Sequence, residues 1–502
     1  MTPSHSLFNK RPTHSLLPFS LGSPVNRQTP TGEKITSPER VCHLVAEGRG
    51  HGLSGFLTSV GVLRGIMMVR SLLFLLSFHL ALSLPQTEPP LLWNLPFISI
   101  WNALTDKCSP PLDMAPFQNV SSPSHPGQFL TLFYEGKLGQ YPKYDHTQIQ
   151  QERYGGLPQN GNLTAHLTKA EIDIDKYIPQ DSSPGLAVID WESWRPLWDQ
   201  NWSSKKLYQD VSIKQTSKKE PGSFRKTIND VKKEFETAAR RYMEETLKLG
   251  RKMRPNRRWG FYLFPDCFNY DWMKDTDYTG KCSKKTQVQN NQMSWLWEAS
   301  TALFPSIYLN KKLRDSKRVV MFVQNRVQEA LRVATLPNQK HSLPVYVYAR
   351  PLYRDHNNVF LSQSDLVHTV GESAALGAAG IVMWGSSVDF DDTVSCDSLS
   401  SYLSSTLGPY IANVTAATIL CSQVLCQGKG RCVRKNFESA HYLHLSPAHF
   451  RVLRCSSKYV AVGLPSRDEL TEWEDHFTCQ CYYSQRCGPK LVPPKTIQEI
   501  WV

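Results

Sequence analysis

The sequence predicts an α/β domain with a barrel-like order of strands, followed by a smaller module held together by disulfides. From about residue 92, short apolar runs alternate with helix-like stretches, as expected for βα units. The composition of the sequence changes near residue 415, after which most of the cysteines occur. With 502 residues, 40% of them apolar, the chain has room for one large domain and a smaller one.

The clearest strand is Gly185–Asp190, which runs almost directly into Glu192. Its continuous Leu, Ala, Val and Ile run is typical of a strand buried on both faces of a parallel sheet. Residues i and i+2 of a strand point to the same face, so Asp190 and Glu192 project together at the C-terminal end. In barrel enzymes this end carries the chemistry.

The spacing of Asp190 and Glu192 indicates a functional carboxyl pair. Ionising two carboxyl groups this close together is unfavourable because their negative charges repel each other. One of them is therefore expected to hold a proton near neutral pH. Glycoside hydrolysis needs such a protonated carboxyl as its general acid. The alternative is a structural ion pair with Arg195, the usual role of an isolated Asp-x-Glu triplet. The apolar run and the flanking Trp191 and Trp194 favour the functional interpretation.

Further strands and two helices complete the alternating pattern. The other candidate strands are Phe97–Asn102, Phe129–Tyr134, Trp259–Phe264, Pro344–Ala349 and Gly380–Gly385. The clearest helix runs from about Ser223 to Leu249 with apolar residues mostly three and four apart, and Gly250 with Pro255 is expected to end it. A second helix, Arg326–Val333, precedes the strand at 344. This order favours a barrel over a sandwich.

The N-terminal part of the chain predicts an extension and a signal peptide. Residues 1–66 are rich in Ser, Pro, Thr, His and Gly without periodicity, which predicts disorder. Residues 67–86 combine Arg70, a short apolar core and small residues, which is typical of a secretory signal peptide. Met67 or Met68 is then a candidate start, with residues 1–66 not translated. The alternative is a signal-anchor that keeps the protein on the membrane.

Composition indicates a secreted, positively charged protein. Twelve cysteines agree with four Asn-x-Ser/Thr sequons in indicating an oxidising, glycosylating route. These sequons begin at Asn119, Asn162, Asn201 and Asn413. A net charge of +13 is compatible with nucleic acid, an anionic membrane or an acidic polysaccharide, and secretion argues against nucleic acid. No apolar C-terminal tail is present, so no lipid-anchor signal is predicted.

The C-terminal cysteines predict a small module of the epidermal-growth-factor (EGF) type, interrupted by an insertion. The spacing that indicates it is Cys421-(x4)-Cys426-(x5)-Cys432, followed by Cys479-x-Cys481-(x5)-Cys487. Zinc binding is the competing interpretation, and the secretory context and the lack of paired Cys-x-x-Cys motifs count against it. We therefore expect no metal or other cofactor, a main domain at 87–415, the module at 416–490 and a tail at 491–502.

Six longer segments support a family assignment in combination. They are Ala187–Glu192, Trp259–Cys267, Ser294–Trp297, Pro305–Tyr308, Gly371–Gly380 and Cys421–Cys426. In order and spacing they resemble the animal hyaluronidases, a glycoside hydrolase family, over about residues 92–490. The resemblance implies a distorted TIM-like (β/α) barrel followed by an EGF-like module.

The resemblance also implies an endo-β-N-acetylhexosaminidase that cleaves hyaluronan, with chondroitin as a slower substrate. Glu192 resembles the proton donor of the family, and Asp190 resembles the partner that orients the substrate amide. In this substrate-assisted mechanism the acetamido oxygen attacks its own anomeric carbon, so configuration is retained without a protein nucleophile. Tyr262 and Tyr308 match the tyrosines that position the acetamido group, and Trp384 matches the residue that closes the pocket.

Three further positions, Ser306, Arg195 and Asp355, match cleft residues with supporting roles. The alternative for each is a core, rim or turn residue. We expect hyaluronan and related glycosaminoglycans as partners, a monomer, and no transmembrane helix in the mature chain. The expected location is the secretory pathway, with a secreted, acrosomal, lysosomal or cell-surface protein. The alternative function is a glycan-binding or adhesion protein on the same fold, with weak or lost catalysis.

Disulfide pairing is likewise implied by the resemblance. The expected pairs are Cys108–Cys396, Cys267–Cys282, Cys421–Cys432, Cys426–Cys479 and Cys481–Cys487. This scheme leaves over Cys42 and Cys455.

Overall fold

The structure is a computed structural model, and it describes residues 84–123, 125–145, 151–217 and 227–502. The predicted N-terminal extension and residues 67–83 of the predicted signal peptide lie outside the described residues, as does the expected helix start near Ser223.

Two parallel sheets form the centre of the described chain. One has the strand order Asn119–Val120, Ile98–Ala103, Gly380–Gly385, Tyr346–Ala349, and the other has the order Leu130–Tyr134, Gly185–Asp190, Arg257–Phe261. Single parallel bridges at residues 303–306 connect the two sheets: Phe304 with Tyr262, Leu303 with Val345, and Ser306 with Tyr348. All six predicted strands are present, with ends shifted by a few residues at most.

Apolar side chains from both sheets meet in one buried cluster, which includes Ile98, Ile100, Leu130, Leu132, Leu186, Val188, Phe304, Tyr346, Tyr348 and Val382. Alternate residues of a strand point to opposite faces, and the neighbouring Ala187 and Ile189 belong to a second, larger cluster. The strand Gly185–Asp190 is therefore buried on both faces up to its last residue, which confirms the prediction.

The remaining elements surround these sheets and follow them in the chain. The α-helices are Leu163–Tyr177, Lys206–Ser217, Ile228–Met253, Lys284–Gln292, Ser294–Ala299, Lys317–Val333, Gln363–Leu366, Glu372–Leu376, Thr393–Tyr402, Gly408–Cys426 and Arg467–His476. The other strands are Lys143–Asp145, Gln151–Arg153, Gly430–Arg434, Phe450–Cys455, Lys458–Gly463, Phe477–Cys481 and Gln498–Trp501. Two π-helical turns, Val367–Gly371 and Leu403–Leu407, join the helices on either side of them.

The prediction that Gly250 ends the long helix is wrong, because Ile228–Met253 continues past it. A Cβ atom at Gly250 would lie 2.8 Å from ring atoms of Trp259. The glycine therefore permits close packing of the helix against the neighbouring strand and does not act as a cap. The second predicted helix also begins earlier, at Lys317.

The helix Gly408–Cys426 packs into one apolar cluster with side chains of the C-terminal strands, among them Phe450, Tyr459, Phe477 and Ile500. The expected domain boundary at residues 415 and 416 falls inside this helix. The helical stretch Thr393–Cys426 is long and apolar enough to cross a membrane, but 89% of its apolar window is buried inside the protein. Within the described residues it serves as a core helix.

A buried ion pair also fixes the C-terminal strands to the preceding part of the chain. Glu372 and Arg434 are 0% exposed at their side chains, and Arg434 Nη1 donates to Glu372 Oε2 at 3.1 Å. Gln324 Nε2 donates to Glu372 Oε1 at 3.1 Å, so the carboxylate is satisfied from two elements. Removing one partner of such a pair is strongly destabilising, which makes the two regions depend on each other.

Five disulfides have the pairings that the resemblance implied: Cys108–Cys396, Cys267–Cys282, Cys421–Cys432, Cys426–Cys479 and Cys481–Cys487. The expectation that Cys455 is left over is wrong, since Cys455 is disulfide-bonded too. Its position at the end of a strand gave no sequence signal for pairing. Cys42 lies outside the described residues.

Burial separates the four sequons into two groups. Asn201 is 0% exposed and Asn413 is 3% exposed, and the side-chain amide nitrogens of both donate hydrogen bonds to main-chain carbonyls. A glycan on either nitrogen would replace one of these hydrogen bonds, and glycosylation at both positions stays a prediction. Asn119 and Asn162 are not buried and stay predicted glycosylation sites.

Candidate active site

A cavity of about 320 Å³ is lined by residues at the C-terminal ends of the parallel strands. Its lining residues are Leu132, Asp190, Glu192, Tyr262, Leu263, Tyr270, Ser306, Tyr308, Tyr348, Arg350, Arg354 and Trp384. Six of the sequence-predicted site residues meet here: Asp190, Glu192, Tyr262, Ser306, Tyr308 and Trp384. A larger cavity of about 830 Å³, near the C-terminus, shares no lining residue with it, and of its two carboxyl residues, Asp113 and Glu499, the first forms an ion pair with Arg454.

Asp190 is the more deeply buried carboxyl of the pair, and its surroundings favour the protonated form of the pair. Its Oδ1 atom is buried and has no hydrogen-bond partner among the described residues. Burial, followed by the negative charges of Glu192 and Glu135, raises the pKa of Asp190 to about 8, and Arg195 opposes this shift. The pair therefore retains a proton at neutral pH, in agreement with the prediction from its spacing.

Glu192 extends beyond the strand, where 49% of its side chain is exposed, while its main chain is tightly held. Its N–H donates to Glu135 Oε1 at 3.1 Å, and its carbonyl accepts from Lys205 Nζ and from Arg195 Nη1 at 3.3 Å. Arg195 Nη2 also lies 3.4 Å from Glu192 Oε2. The ion pair considered as the alternative is thus present, and it coexists with a carboxyl that lines the cavity.

Arg195 and Asp355 are the two predicted site residues that do not line the cavity. Arg195 is buried against the main chain of Glu192, so its contact is with the carboxyl-bearing segment and not with the cavity. Asp355 Oδ1 accepts from the main-chain N–H of Lys311 at 2.8 Å, which matches the turn role that was its alternative.

Three aromatic rings form one wall of the cavity. The rings of Tyr262 and Tyr308 stack with centroids 6.2 Å apart, and Tyr308 stacks on Trp384 at 5.8 Å with an interplanar angle of 14°. The Tyr262 hydroxyl donates to Ser306 Oγ at 3.4 Å. Burial raises the pKa of both tyrosines, so their hydroxyls stay protonated donors at neutral pH.

Trp384 is fixed from two sides by residues that sequence reasoning did not select. Its Nε1–H donates to the Tyr134 hydroxyl at 3.1 Å, and the Arg350 guanidinium lies 5.3 Å from the centre of its ring. Arg350 in turn pairs with Asp389 at 2.6 Å. The indole is therefore held in one orientation at the C-terminal end of its strand, where it lines the cavity.

Most of the residues that sequence reasoning missed carry the same positional signal as those it found. Tyr134, Glu135, Tyr348 and Arg350 lie at or just after the C-terminal ends of predicted strands, where Asp190 and Glu192 also lie. Applying that rule to every strand would have found them. Lys205 lies in a turn before a helix and carried no such signal.

Among the described ranges, no group of three or more His, Cys, Asp or Glu side chains is arranged to hold a metal ion.

A sequence model of the family described as Hyaluronidase matches residues 86–490. The chain belongs to the hyaluronidase family. The predicted resemblance is thereby confirmed, and the assignment as a glycoside hydrolase with it. This hyaluronidase-family chain is 43% identical to Hyaluronidase PH-20 of Homo sapiens over 418 residues, covering 82% of this chain and 81% of that protein.

Other comparisons agree on the family. The chain is 43% identical to Hyaluronidase-2 of Rattus norvegicus over 430 residues, which covers 83% of this chain and 90% of that protein. Its structure is similar to that of bee venom hyaluronidase in complex with a hyaluronic acid tetramer, with a TM-score of 0.56 and 32% identity. That match covers 63% of this chain and 98% of the bee venom chain.

Proposed function

We propose that this protein hydrolyses the β-1,4 linkages between N-acetylglucosamine and glucuronate in hyaluronan. The observation that carries the proposal is the Asp190–Glu192 pair, which lines a strand-end cavity and keeps a proton at neutral pH. The family membership supports it, as does the hyaluronic acid tetramer in the structurally similar bee venom enzyme.

The cavity offers complementary groups for an N-acetylglucosamine unit. The unpartnered Oδ1 of Asp190 is a buried polar atom without a satisfied hydrogen bond, and an acetamido N–H would satisfy it. The hydroxyls of Tyr262 and Tyr308 line the cavity, and the Tyr262 hydroxyl would exchange its long bond to Ser306 Oγ for one to the acetamido oxygen. Trp384 and Tyr308 form part of an aromatic wall of the cavity, which offers an apolar contact for sugar carbons and the acetyl methyl group.

Glu192 serves as general acid and then as general base. It passes the proton that the carboxyl pair retains to the leaving glycosidic oxygen, while the acetamido oxygen attacks the anomeric carbon of the same sugar and forms an oxazoline-like intermediate. Glu192 then takes a proton from the water that opens this intermediate. Holding the attacking oxygen within the substrate supplies proximity, and Asp190 supplies orientation. Because two displacements occur, the product retains the β configuration.

Charge supports the choice of an acidic polysaccharide. Hyaluronan carries one carboxylate per disaccharide, and Arg350 and Arg354 both line the cavity. The chain as a whole has a net charge of +13. Binding through such charges weakens as salt rises, since exposed charges are screened over about 8–10 Å at physiological ionic strength.

The proposal extends to the arrangement of the domains and to the cellular location of the protein. We infer a distorted TIM-like barrel in the part of the chain that precedes the helix Gly408–Cys426, because two parallel sheets there share one internal apolar cluster. The three C-terminal disulfides support an EGF-like module within 416–490. Disulfides persist in oxidising compartments, which supports a signal peptide at 67–86 and passage through the secretory pathway, and we propose a monomer there.

A reducing-end assay on hyaluronan separates this proposal from a catalytically inactive glycan-binding protein. We expect the purified protein to release oligosaccharides that end in N-acetylglucosamine, and to do so less efficiently as salt rises. The experiment should include a binding measurement with immobilised hyaluronan. Retained binding without new reducing ends would favour the adhesion alternative over the enzyme.

A further inference from the structure

The main chain that carries Glu192 is held by a carboxylate from the neighbouring strand. Glu135 follows directly after Leu130–Tyr134, whose last residue pairs with Asp190. Its Oε1 atom accepts from the N–H of Glu192 at 3.1 Å, from the N–H of Ser193 at 2.9 Å and from Ser193 Oγ at 2.6 Å. Three donors therefore converge on one oxygen at the point where the chain leaves the strand.

The opposite side of the same peptide is held by cations. Lys205 Nζ and Arg195 Nη1 both donate to the Glu192 carbonyl. Both polar groups of the Glu192 main chain thus bond to charged side chains, and such bonds are about twice as strong as neutral ones. The side chain of Glu192 is half exposed, so the position of its carboxyl depends on this support of the backbone.

Glu135 is also a fixed negative charge. Burial alone would raise the pKa of Glu135, but hydrogen bonds from Lys143 and Ser193 outweigh burial and lower it. Its Oε2 atom lies 2.6 Å from Lys143 Nζ. Glu135 therefore stays ionised across the neutral range, in a low-dielectric setting where a charge acts over several ångströms.

We propose that Glu135 is a positioning residue, which fixes the Glu192 main chain and supplies a negative charge that helps the carboxyl pair keep its proton. This inference rests on the proposed function, because it concerns the same carboxyl pair. Glu135 does not line the cavity, so it acts through Glu192 and Asp190 and not on the substrate.

The charges around Glu135 determine in which direction the pKa of the carboxyl pair shifts when Glu135 is neutralised. Glu192 and Glu135 raise the pKa of Asp190, and Arg195 lowers it. Two cations lie near Glu135: Lys143 is its counter-ion, and Lys205 interacts with both Glu135 and Glu192. The neighbouring phenols, Tyr141 and Tyr208, are neutral. Neutralising Glu135 removes a negative neighbour, so the proton leaves the pair at lower pH and activity is lost at lower pH on the basic side.

Two substitutions at position 135 separate charge from hydrogen bonding. Glu135→Gln removes the charge but keeps an oxygen that can accept from Glu192 and Ser193. We expect this variant to move the basic limb of the kcat profile to lower pH while kcat at its optimum stays within about threefold, since the geometry is retained. Glu135→Ala removes both contributions, and we expect kcat to fall about a hundredfold with KM little changed, because misplacement by about 1 Å costs that much.

A third variant tests the sign. Lys143→Met removes the counter-ion of Glu135 and leaves its negative charge uncompensated, so we expect the basic limb to move to higher pH, opposite to Glu135→Gln. Glu152→Gln, an exposed position on the adjacent hairpin, is the matched control and should leave the profile in place.

The pH–rate profiles of these variants on hyaluronan decide the inference. Basic limbs that coincide in wild type, Glu135→Gln and Lys143→Met would overturn it, as would a Glu135→Ala variant with wild-type kcat. If Glu135→Ala does not fold, the Glu135→Gln profile still decides. A Glu192→Gln variant with wild-type activity would instead contradict the proposed function, so the two failures are distinguishable.

Discussion

Glu192→Gln is expected to lower kcat on hyaluronan by about ten-thousand-fold or more. General acid–base catalysis by one side chain is typically worth about a hundred- to ten-thousand-fold, and in the proposed mechanism one residue serves both chemical steps. Glutamine keeps the shape of the side chain but neither gives nor takes the proton. Because Glu192 is half exposed, the substitution leaves the packing intact, and hyaluronan binding should persist.

The measurement is steady-state release of reducing ends, with Glu298→Gln as a control on an exposed helix position. The control should match the wild type in both kcat and thermal stability. If Glu192→Gln kept more than about a tenth of wild-type activity, the loss would fall short of even a weak acid–base contribution. Glu192 would then not be the proton donor.

Asp190→Asn is expected to lower kcat on hyaluronan strongly. The same substitution is expected to raise the free energy of unfolding near neutral pH. The rate falls because asparagine lacks the carboxylate. That group orients the acetamido group and stabilises the positive charge that develops on it during the attack. The fold gains because Asp190 has a raised pKa of about 8 in the folded chain, whereas an unfolded aspartate titrates near 4. The folded state therefore carries a penalty that grows as pH rises between these values.

Removing Asp190 removes that penalty, by up to about 4 kcal/mol near pH 7 at about 1.4 kcal/mol per pKa unit. The difference in Tm between Asp190→Asn and wild type should be small near pH 4, grow with pH, and level off above about pH 8. Thermal unfolding across this range measures it. A difference that did not change with pH would contradict the raised pKa of Asp190. Active-site groups that lower stability in this way are a common cost of function.

Where the sequence pattern depends on neighbours along the chain, it predicted the structure well. The strand Gly185–Asp190 has the predicted bounds, and Asp190 and Glu192 both line the cavity, although Glu192 lies beyond the end of the strand. Tyr262, Ser306, Tyr308 and Trp384 lie on the predicted cavity because each follows or ends a parallel strand or bridge segment.

Where the outcome depends on packing between distant segments, the sequence was a poor guide. Gly250 was interpreted as a helix end because no pattern reveals that Trp259 packs against it. The burial of Asn201 and Asn413 was not predicted, because a sequon carries no information about burial. Glu135 was missed since its role depends on three donors that belong to a neighbouring strand end.

In the proposed mechanism the substrate supplies its own nucleophile, at the Asp190–Glu192 pair. The most direct measurement compares hyaluronan with hyaluronan whose N-acetyl groups have been removed, and with the same material after re-acetylation. We predict that the purified protein cleaves the first and the re-acetylated polymer, and does not cleave the deacetylated one. Cleavage of deacetylated hyaluronan at a rate close to that of the native polymer would contradict substrate assistance.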